Sequence, residues 1–293
     1  MEIGVFILMK KELKEMKYFP RIRSKNHSLD SLRRSNRGLP ALPVKSVVRF
    51  GSTTPTREVF KKASTIPIIE INTVDAVRIS SSKLLMKNAF KEAEIFQPEW
   101  YLFKGEAVVN SENESIPIKE LPYPLVYKRV YGSKGRGMEL IEDEAALRSK
   151  LGSTNGYYSE RFINYNREYR LHCTKNGCFY ACRKMLKTDA EARWFKNDSN
   201  CIWYVDTNDG FDRPTNWDKI EAECVKALNA VGLDFGAFDV RVQSSKNKEE
   251  VLREDPKFVI IEVNSAPSFG DITERKYKEI IPQLIMSKVK KYA

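Results

Sequence analysis

Two strings near the C-terminus put oxygen-bearing side chains where an apolar strand would normally carry none. In VIIEVNSAPS, at 259–268, Glu262 and Asn264 stand two residues apart, and the period of two along a strand turns both to one face. Burying a carboxylate next to an amide is costly unless a cation offsets it. An all-oxygen set suits magnesium, which keeps waters and bridges nucleotide phosphates. In GAFDVRVQ, at 236–243, Asp239 shares a face with Arg241. Asp239 can complete the cation site, and Arg241 can face a terminal phosphate or a developing anion. Upstream, in YSERFINYNREYRLH, Glu160 precedes an apolar pair and Glu168 follows eight residues later. Carboxylates so placed can accept from sugar hydroxyls or an adenine amino group.

A fourth string, PLVYKRVYGSKGRGMEL at 124–140, sets Lys128 in a strand that runs into a loop of Gly132, Ser133, Lys134, Gly135, Arg136 and Gly137. The spacing is neither G-x-x-x-x-G-K-[ST] nor the dinucleotide fingerprint, because a strand and not a helix follows. What remains is a strand–loop–strand hairpin. Its glycines let backbone N–H groups close over phosphate oxygens, while Lys134 and Arg136 add charge. Alone, such a loop equally describes an exposed hairpin, and each acid alone equally describes a surface ion pair. Several polar clusters embedded in strands, in this order, argue for a nucleotide site.

These residues need elements to hold them. EIGVFILM, VKSVVRF and IPIIEIN read as strands, with a short helix over 56–63 between the last two, so the N-terminal part reads as a small α/β domain. Residues 20–40 are basic, rich in Ser and Asn and nearly without apolar periodicity, and read as a long loop or a poorly ordered segment. From Ser80, SSKLLMKNAFKEAEIF places Leu84, Leu85, Phe90 and Ala93 at helical spacing behind a serine N-cap. Strands EWYLF, PLVYKRVY, MELIE and GYYSERFI follow, with DEAALRSKL a helix before the last. A hairpin then turns at Asn176 and Gly177. A polar stretch runs to about Pro214, WDKIEAECVKALNAVG is an amphipathic helix closed by Gly232, and a helix over 274–292 ends the pattern.

The 293 residues are 42% hydrophobic and 30% charged, ordinary for a soluble globular chain. No apolar run approaches the roughly 18 residues needed to span a bilayer. No small-residue cleavage site follows the first apolar run, so no membrane is expected and the expected compartment is the cytoplasm. The net charge of +11 is uneven: residues 1–50 hold 12 Lys+Arg against 4 Asp+Glu, the remaining 243 hold 38 against 35. The basic N-terminus could meet an acidic partner or nucleic acid, or be a solvated surface. Cys173, Cys178 and Cys182 beside His172 raise a Cys3His zinc site, but paired C-x2-C hooks are absent and a hairpin favours cysteines as small apolar groups.

With K-x-x-x-G-S-x-G-x-G at 128–137, the strand aspartate Asp239 and E-V-N-x-x-P at 262–267, the sequence resembles the ATP-grasp superfamily. The pattern is most similar to the ribosomal-protein glutamate ligases, with kinship to glutathione synthetase and D-alanine–D-alanine ligase. The resemblance runs from about Ser80 to Ala293. It implies an α/β (α+β) chain of the ATP-grasp fold, with the nucleotide held between two α+β subdomains after a small, reduced N-terminal α/β domain. The expected boundaries are 1–80, 81–157 and 158–293.

The same resemblance implies ATP with two magnesium ions as cofactors. Lys128 would contact the α- and β-phosphates, with Ser133, Lys134, Gly135 and Gly137 in the lid above them and Lys83 near the nucleotide. Glu160 with the backbone of Phe162 and Ile163 would form the adenine hinge, and Glu168 would hold the ribose. Asp239, Glu262 and Asn264 match the magnesium ligands. Of the adjacent Arg183 and Lys184, one would contact phosphate. Arg170, on the face of Glu168, would take phosphate or the carboxylate substrate, both favoured bidentate partners of arginine.

The reaction implied joins a carboxylate to an amine of an amino acid, peptide or protein, through an acylphosphate. The N-terminal domain is shorter than in such ligases, and residues 268–271 replace a glycine loop, so the substrate end is where preference is expected to differ. Two rivals compete: a kinase on the same fold, which would leave a stable phosphorylated product, and a nucleic-acid-binding protein, which would interleave aromatic and basic residues.

Overall fold

The computed structural model describes residues 5–9, 22–23, 29–31, 45–56, 68–104, 107–132, 135–151, 156–197, 199–207, 209–268 and 270–289, with the backbone alone for those before 46 and for 209 and 289. Three sheets carry the architecture.

The first sheet has the order β2-β3-β1-β4-β5, from β1 (Val5–Met9), β2 (Ile22–Arg23), β3 (Leu29–Ser31), β4 (Lys45–Phe50) and β5 (Ile68–Ile71). β4 lies parallel to both β1 and β5. Two short strands thus fall inside the stretch 20–40 that reads as irregular, and the rest of that stretch lies outside the described residues. So do residues 57–63 of the expected helix, of which Thr56 alone is described.

The second sheet has the order β10-β9-β11-β6-β7-β8, all antiparallel: β6 (Trp100–Lys104), β7 (Ala107–Asn110), β8 (Ser115–Ile116), β9 (Leu125–Arg129), β10 (Glu139–Ile141) and β11 (Tyr157–Arg161). Its period of two divides the residues cleanly. Leu125 and Tyr127 enter a core with Tyr101, Ile141 and Leu147, while Val126 and Lys128 face the other way with Tyr158 and Glu160.

The third sheet has the order β14-β13-β12-β15-β16: β12 (Arg167–Thr174), β13 (Gly177–Leu186), β14 (Cys201–Val205), β15 (Phe235–Val242) and β16 (Phe258–Asn264). Tyr169, Leu171, Phe238, Val240 and Ile260 point into the main core. Covering them are the helices α1 (Val74–Ser81), α2 (Lys83–Glu92) and α4 (Trp217–Ala230), through Val77, Met86, Phe90, Ile220 and Leu228. α3 (Glu144–Arg148) packs Leu147 on the second sheet, and α5 (Asp271–Val289) follows β16. Among the described residues no helix is long and apolar enough to cross a membrane.

Local chemistry explains the breaks. Thr73 caps α1 by accepting from the Ala76 N–H, and Ser82 both ends α1 and caps α2 by accepting from the Leu85 N–H. Helix α1, with Asp75 and Arg78 exposed, had no strong apolar pattern to announce it. Strand β14 likewise lies within the polar stretch that ends near Pro214. Gly232, at φ +73, supplies the left-handed residue after α4 that a side chain would resist.

The N-terminal sheet is tied to the third sheet by a buried asparagine. Asn72 takes the Asp234 carboxylate on its N–H at 2.7 Å, accepts from the Asp234 N–H at 2.8 Å, and donates through Nδ2 to the Phe235 carbonyl at 3.2 Å. Phe50, Phe235 and Tyr277 pack ring on ring at the same joint. The five cysteines are free thiols; Cys173 stands opposite Cys178 and joins the core with Cys224, whereas Cys182 stands opposite Arg170.

Candidate functional site

Between the second and third sheets lies a cavity of about 510 Å³. Its walls come from the strand faces that the cores leave over. On the second-sheet wall Lys128 and Glu160 form a buried ion pair, and Lys87 from α2 reaches the other Glu160 oxygen at 3.2 Å. Burial opposes charge on Glu160, but Lys128 and Lys87 outweigh it and hold the carboxyl at about 2. Lys87 is 0% exposed, and the same burial lowers its own affinity for a proton despite Glu160.

On the third-sheet wall the register builds two adjacent rungs. Trp203, Lys184, Glu168 and Arg241 are successive partners across β14, β13, β12 and β15. One step along, Cys182, Arg170, Asp239 and Glu262 are successive partners from β13 to β16. Directly opposed residues share a face, so both rungs look into the cavity.

The charges are arranged in pairs. Arg170 clamps Asp239 with both arms, Nε to Oδ1 at 2.7 Å and Nη2 to Oδ2 at 2.8 Å. Lys184 sits between Asp239 Oδ2 and Glu168 Oε1, 2.9 Å from each. Burial opposes ionisation of Asp239 and of Glu168; Arg170 with Lys184, and Lys184 with Arg241, outweigh it and keep both carboxyls below their usual range. Glu262 is lowered in the same manner, burial being outweighed chiefly by Lys83. Lys83, at the first turn of α2, spans the two walls: its Nζ donates to Glu262 Oε2 and to the Gly132 carbonyl, each at 3.2 Å.

The sequence-derived residues therefore distribute as follows. Lys83, Lys128, Gly135, Glu160, Phe162, Ile163, Glu168, Arg170, Lys184, Asp239, Arg241, Glu262 and Asn264 all line the cavity. Ser133 and Lys134 lie outside the described residues, and Gly137, at φ +70, lies in the loop without lining the cavity. Arg183 is the clear exception. Adjacent residues of β13 face opposite ways, and Arg183 turns from the cavity to donate to the Gly210 carbonyl at 3.0 Å, with Asp212 at 3.4 Å. Of the Arg183/Lys184 pair it is Lys184 that faces the site. Arg241 also departs from its expected place at a terminal phosphate: it donates to the carbonyls of Ile163 and Trp194 at 2.8 Å each, with its guanidinium over the Phe162 ring.

Some contributors escaped the sequence reading. Lys87 lies one helical turn past Lys83 on the same helix face, a spacing that was legible. Trp194, Phe195 and Lys196 come from the irregular segment between β13 and β14, where no periodicity points anywhere; Phe195 packs over the glycine loop, so that a Cβ added at Gly135 would meet its Cε2 at 3.2 Å. Lys196 donates to the Asn166 carbonyl at 3.0 Å.

Asp239, Glu262 and Asn264 form a hard-oxygen set, two carboxylates opposed across β15 and β16 with an amide beside them. The cationic groups around the carboxylates show that positive charge is accommodated there. Two carboxylates with room for phosphate oxygens is the usual provision for magnesium. Among the described residues no group of three or more His, Cys, Asp or Glu is arranged as a metal cage.

No family model matches the sequence, and no curated protein matches it. Solved structures do. D-alanine–D-alanine ligase from Bacillus anthracis, complexed with ATP, superimposes with a TM-score of 0.56 at 15% identity, over 84% of this chain and 79% of that chain. VanG D-Ala:D-Ser ligase from Enterococcus faecalis gives 0.55 at 16% identity, over 83% and 72%. The ATP-grasp ligase PsnB, complexed with a phosphomimetic variant of its minimal precursor, Mg and ADP, gives 0.50 at 12% identity, over 75% and 62%. The chain has the ATP-grasp fold.

Proposed function

We propose that this chain is an ADP-forming ligase that joins a carboxylate to an amine at the expense of ATP, adding an amino acid to a peptide or protein acceptor. The observation that carries the reading is the opposed pair Asp239 and Glu262, buried in a cavity between two sheets and ringed by Lys83, Arg170 and Lys184, with Lys128 on the facing wall. The likeness to ATP-grasp ligases supports it, since the solved structures named above are described with ATP, or with Mg and ADP.

In this reading the base lies against Val126, Phe162 and Ile163 and the ribose reaches Glu168. The phosphates run between Lys128 and Lys83 under the glycine loop. Asp239, Glu262 and Asn264 hold magnesium, in two ions, which neutralises charge on the phosphate oxygens. The protein's own part is to position the reactants and to balance charge. The donor carboxylate attacks the γ-phosphoryl group, ADP leaves, and the amine displaces phosphate from the acylphosphate. Phe195 over Gly135 helps exclude water that would hydrolyse that intermediate.

The test is phosphate release from Mg-ATP by wild type and Glu262→Gln across pools of amino acids and acidic peptides, with mass spectrometry of the mixture. Phosphate released only with a particular amino acid, with a product heavier by one condensed residue, is expected for wild type and not for the variant. A stable phosphorylated product without condensation would make the protein a kinase and overturn the ligase reading.

A further inference from the structure

The bidentate clamp of Arg170 on Asp239 is a difficulty for any cation held by Asp239. The guanidinium fork uses both carboxylate oxygens in their plane, at 2.7 and 2.8 Å. A magnesium–carboxylate bond of about 2.0–2.1 Å draws on the same lone pairs. The two cannot be complete together. Asp239 would keep Lys184 on Oδ2 after such an exchange, but Arg170 would lose the carboxylate it pairs with.

Where the guanidinium would then go is limited by its neighbours. Its Cζ lies 5.1 Å from the centroid of the Trp203 ring, and Nη1 lies 3.4 Å from Ser268 Oγ, in the segment that follows Asn264. Trp203 also holds Lys184 at 5.4 Å, so one indole face steadies both cations of the rung ends. Arg170 belongs to the rung farther from Ile163 than that of Arg241. A nucleotide running from Phe162 and Ile163 to Asp239 would end there. The other substrate must begin there.

We propose that Arg170 and the divalent cation compete for Asp239, and that the displaced guanidinium, held against Trp203 and Ser268, is the group that receives the carboxylate of the donor substrate. This rests on the ligase reading above. A half-buried guanidinium deprived of one carboxylate is best satisfied by another of the same planar geometry. Cation loading thereby prepares the donor site, and the donor binds after the metal-nucleotide. Trp203 is a positioning residue in this scheme.

The experiment measures Mn2+ affinity by electron paramagnetic resonance, with ADP present, in wild type, Arg170→Gln and Arg170→Lys. Removing a competitor tightens the cation: the expected gain for Arg170→Gln is about tenfold, the common scale of coupling between two sites, with Arg170→Lys between it and wild type. A merely structural arginine would give the opposite sign, because its loss would loosen Asp239. Unchanged or weaker Mn2+ binding in both variants, with folded circular dichroism spectra, overturns the proposal. In parallel, tryptophan emission should change on adding Mg-ADP to wild type and lose that change in Arg170→Gln; Trp203→Phe assigns the signal.

With the donor found by the pooled assay, Arg170→Gln should raise the donor KM more than tenfold while leaving the ATP KM within about twofold, on the same scale of coupling. A donor KM that does not move likewise overturns the proposal. Failure of the ligase reading itself looks different: wild type then makes no condensed product, whatever Arg170 does to Mn2+.

Discussion

The guanidinium of Arg241 donates to the carbonyl oxygen of Ile163 at 2.8 Å and so ties β15 of the third sheet to the segment leaving β11 of the second. Its other arm takes the Trp194 carbonyl, also at 2.8 Å, and its Nε reaches Glu168 at 3.3 Å. One side chain therefore sets the spacing of three segments around the cavity end where the base is proposed to lie.

Arg241→Lys should accordingly weaken nucleotide binding more than it slows chemistry. A lysine keeps the charge and cannot hold two carbonyls in a fork. Loss of one hydrogen bond from a charged donor is worth about 1.5–3 kcal/mol, so titration calorimetry should show ADP affinity falling by roughly tenfold or more. Unaltered ADP affinity would mean that Phe162 and Ile163 are held in place without Arg241.

Glu160 and Lys87 should behave unequally although they touch. Glu160 neutralises two buried lysines, so Glu160→Gln strands both, at a cost of about 3–5 kcal/mol. Lys87→Met removes a fully buried ammonium whose partner keeps Lys128, and should cost no more than about 1 kcal/mol. Urea unfolding of the two variants gives the comparison directly; equal losses would show that Lys128 does not suffice for Glu160.

Acid should destabilise the protein in two overlapping windows. His172 is buried, its Nδ1 3.0 Å from the Tyr277 hydroxyl, and burial first, with Arg170 adding, lowers its proton affinity from 6.5 to about 3. The unfolded chain binds that proton near pH 6.5 while the folded one does not, so stability is complete above that pH and falls as the pH drops toward 3. At pH 5 the loss is about 2 kcal/mol. His172→Gln should flatten this part of the profile. Glu160 acts lower: its carboxylate contributes fully above pH 4.5, and the contribution is lost as the pH falls through about 2. A His172→Gln profile that still slopes between pH 6.5 and 5 would assign that window to other groups.

Gly135→Ala should impair turnover with a small effect on folding. Gly135 has φ +72, which costs an L-residue about 1–2 kcal/mol. The new methyl would also press on the Phe195 ring. Steady-state phosphate release should drop while the thermal midpoint moves by only a few degrees, about what that energy predicts for a chain of this size. A variant of normal rate would detach the contact of Phe195 and Gly135 from catalysis.

Much of this site was written in strand periodicity. Asp239 with Arg241, Glu262 with Asn264, and Glu168 with Arg170 could each be assigned to one face because a strand repeats every two residues. The apolar residues between them say which face is core. Helix ends were equally legible where a Ser or Gly marked them, as at Ser82 and Gly232. What local sequence could not decide was contact between distant elements. Nothing near Arg183 and Lys184 says which of two adjacent cations faces the cavity, since both parities of β13 are mixed in polarity; pairing with Glu168 and Trp203 settles it for Lys184. Nothing near Asp239 foretold that Arg170 would clamp it, or that Arg241 would leave the phosphate end for the Ile163 carbonyl. Those partners are 69 and 78 residues apart in the chain. Periodicity is a property of one strand and can be read from it, whereas the partner of a charge is chosen by sheet order and register, which exist only once the chain has folded.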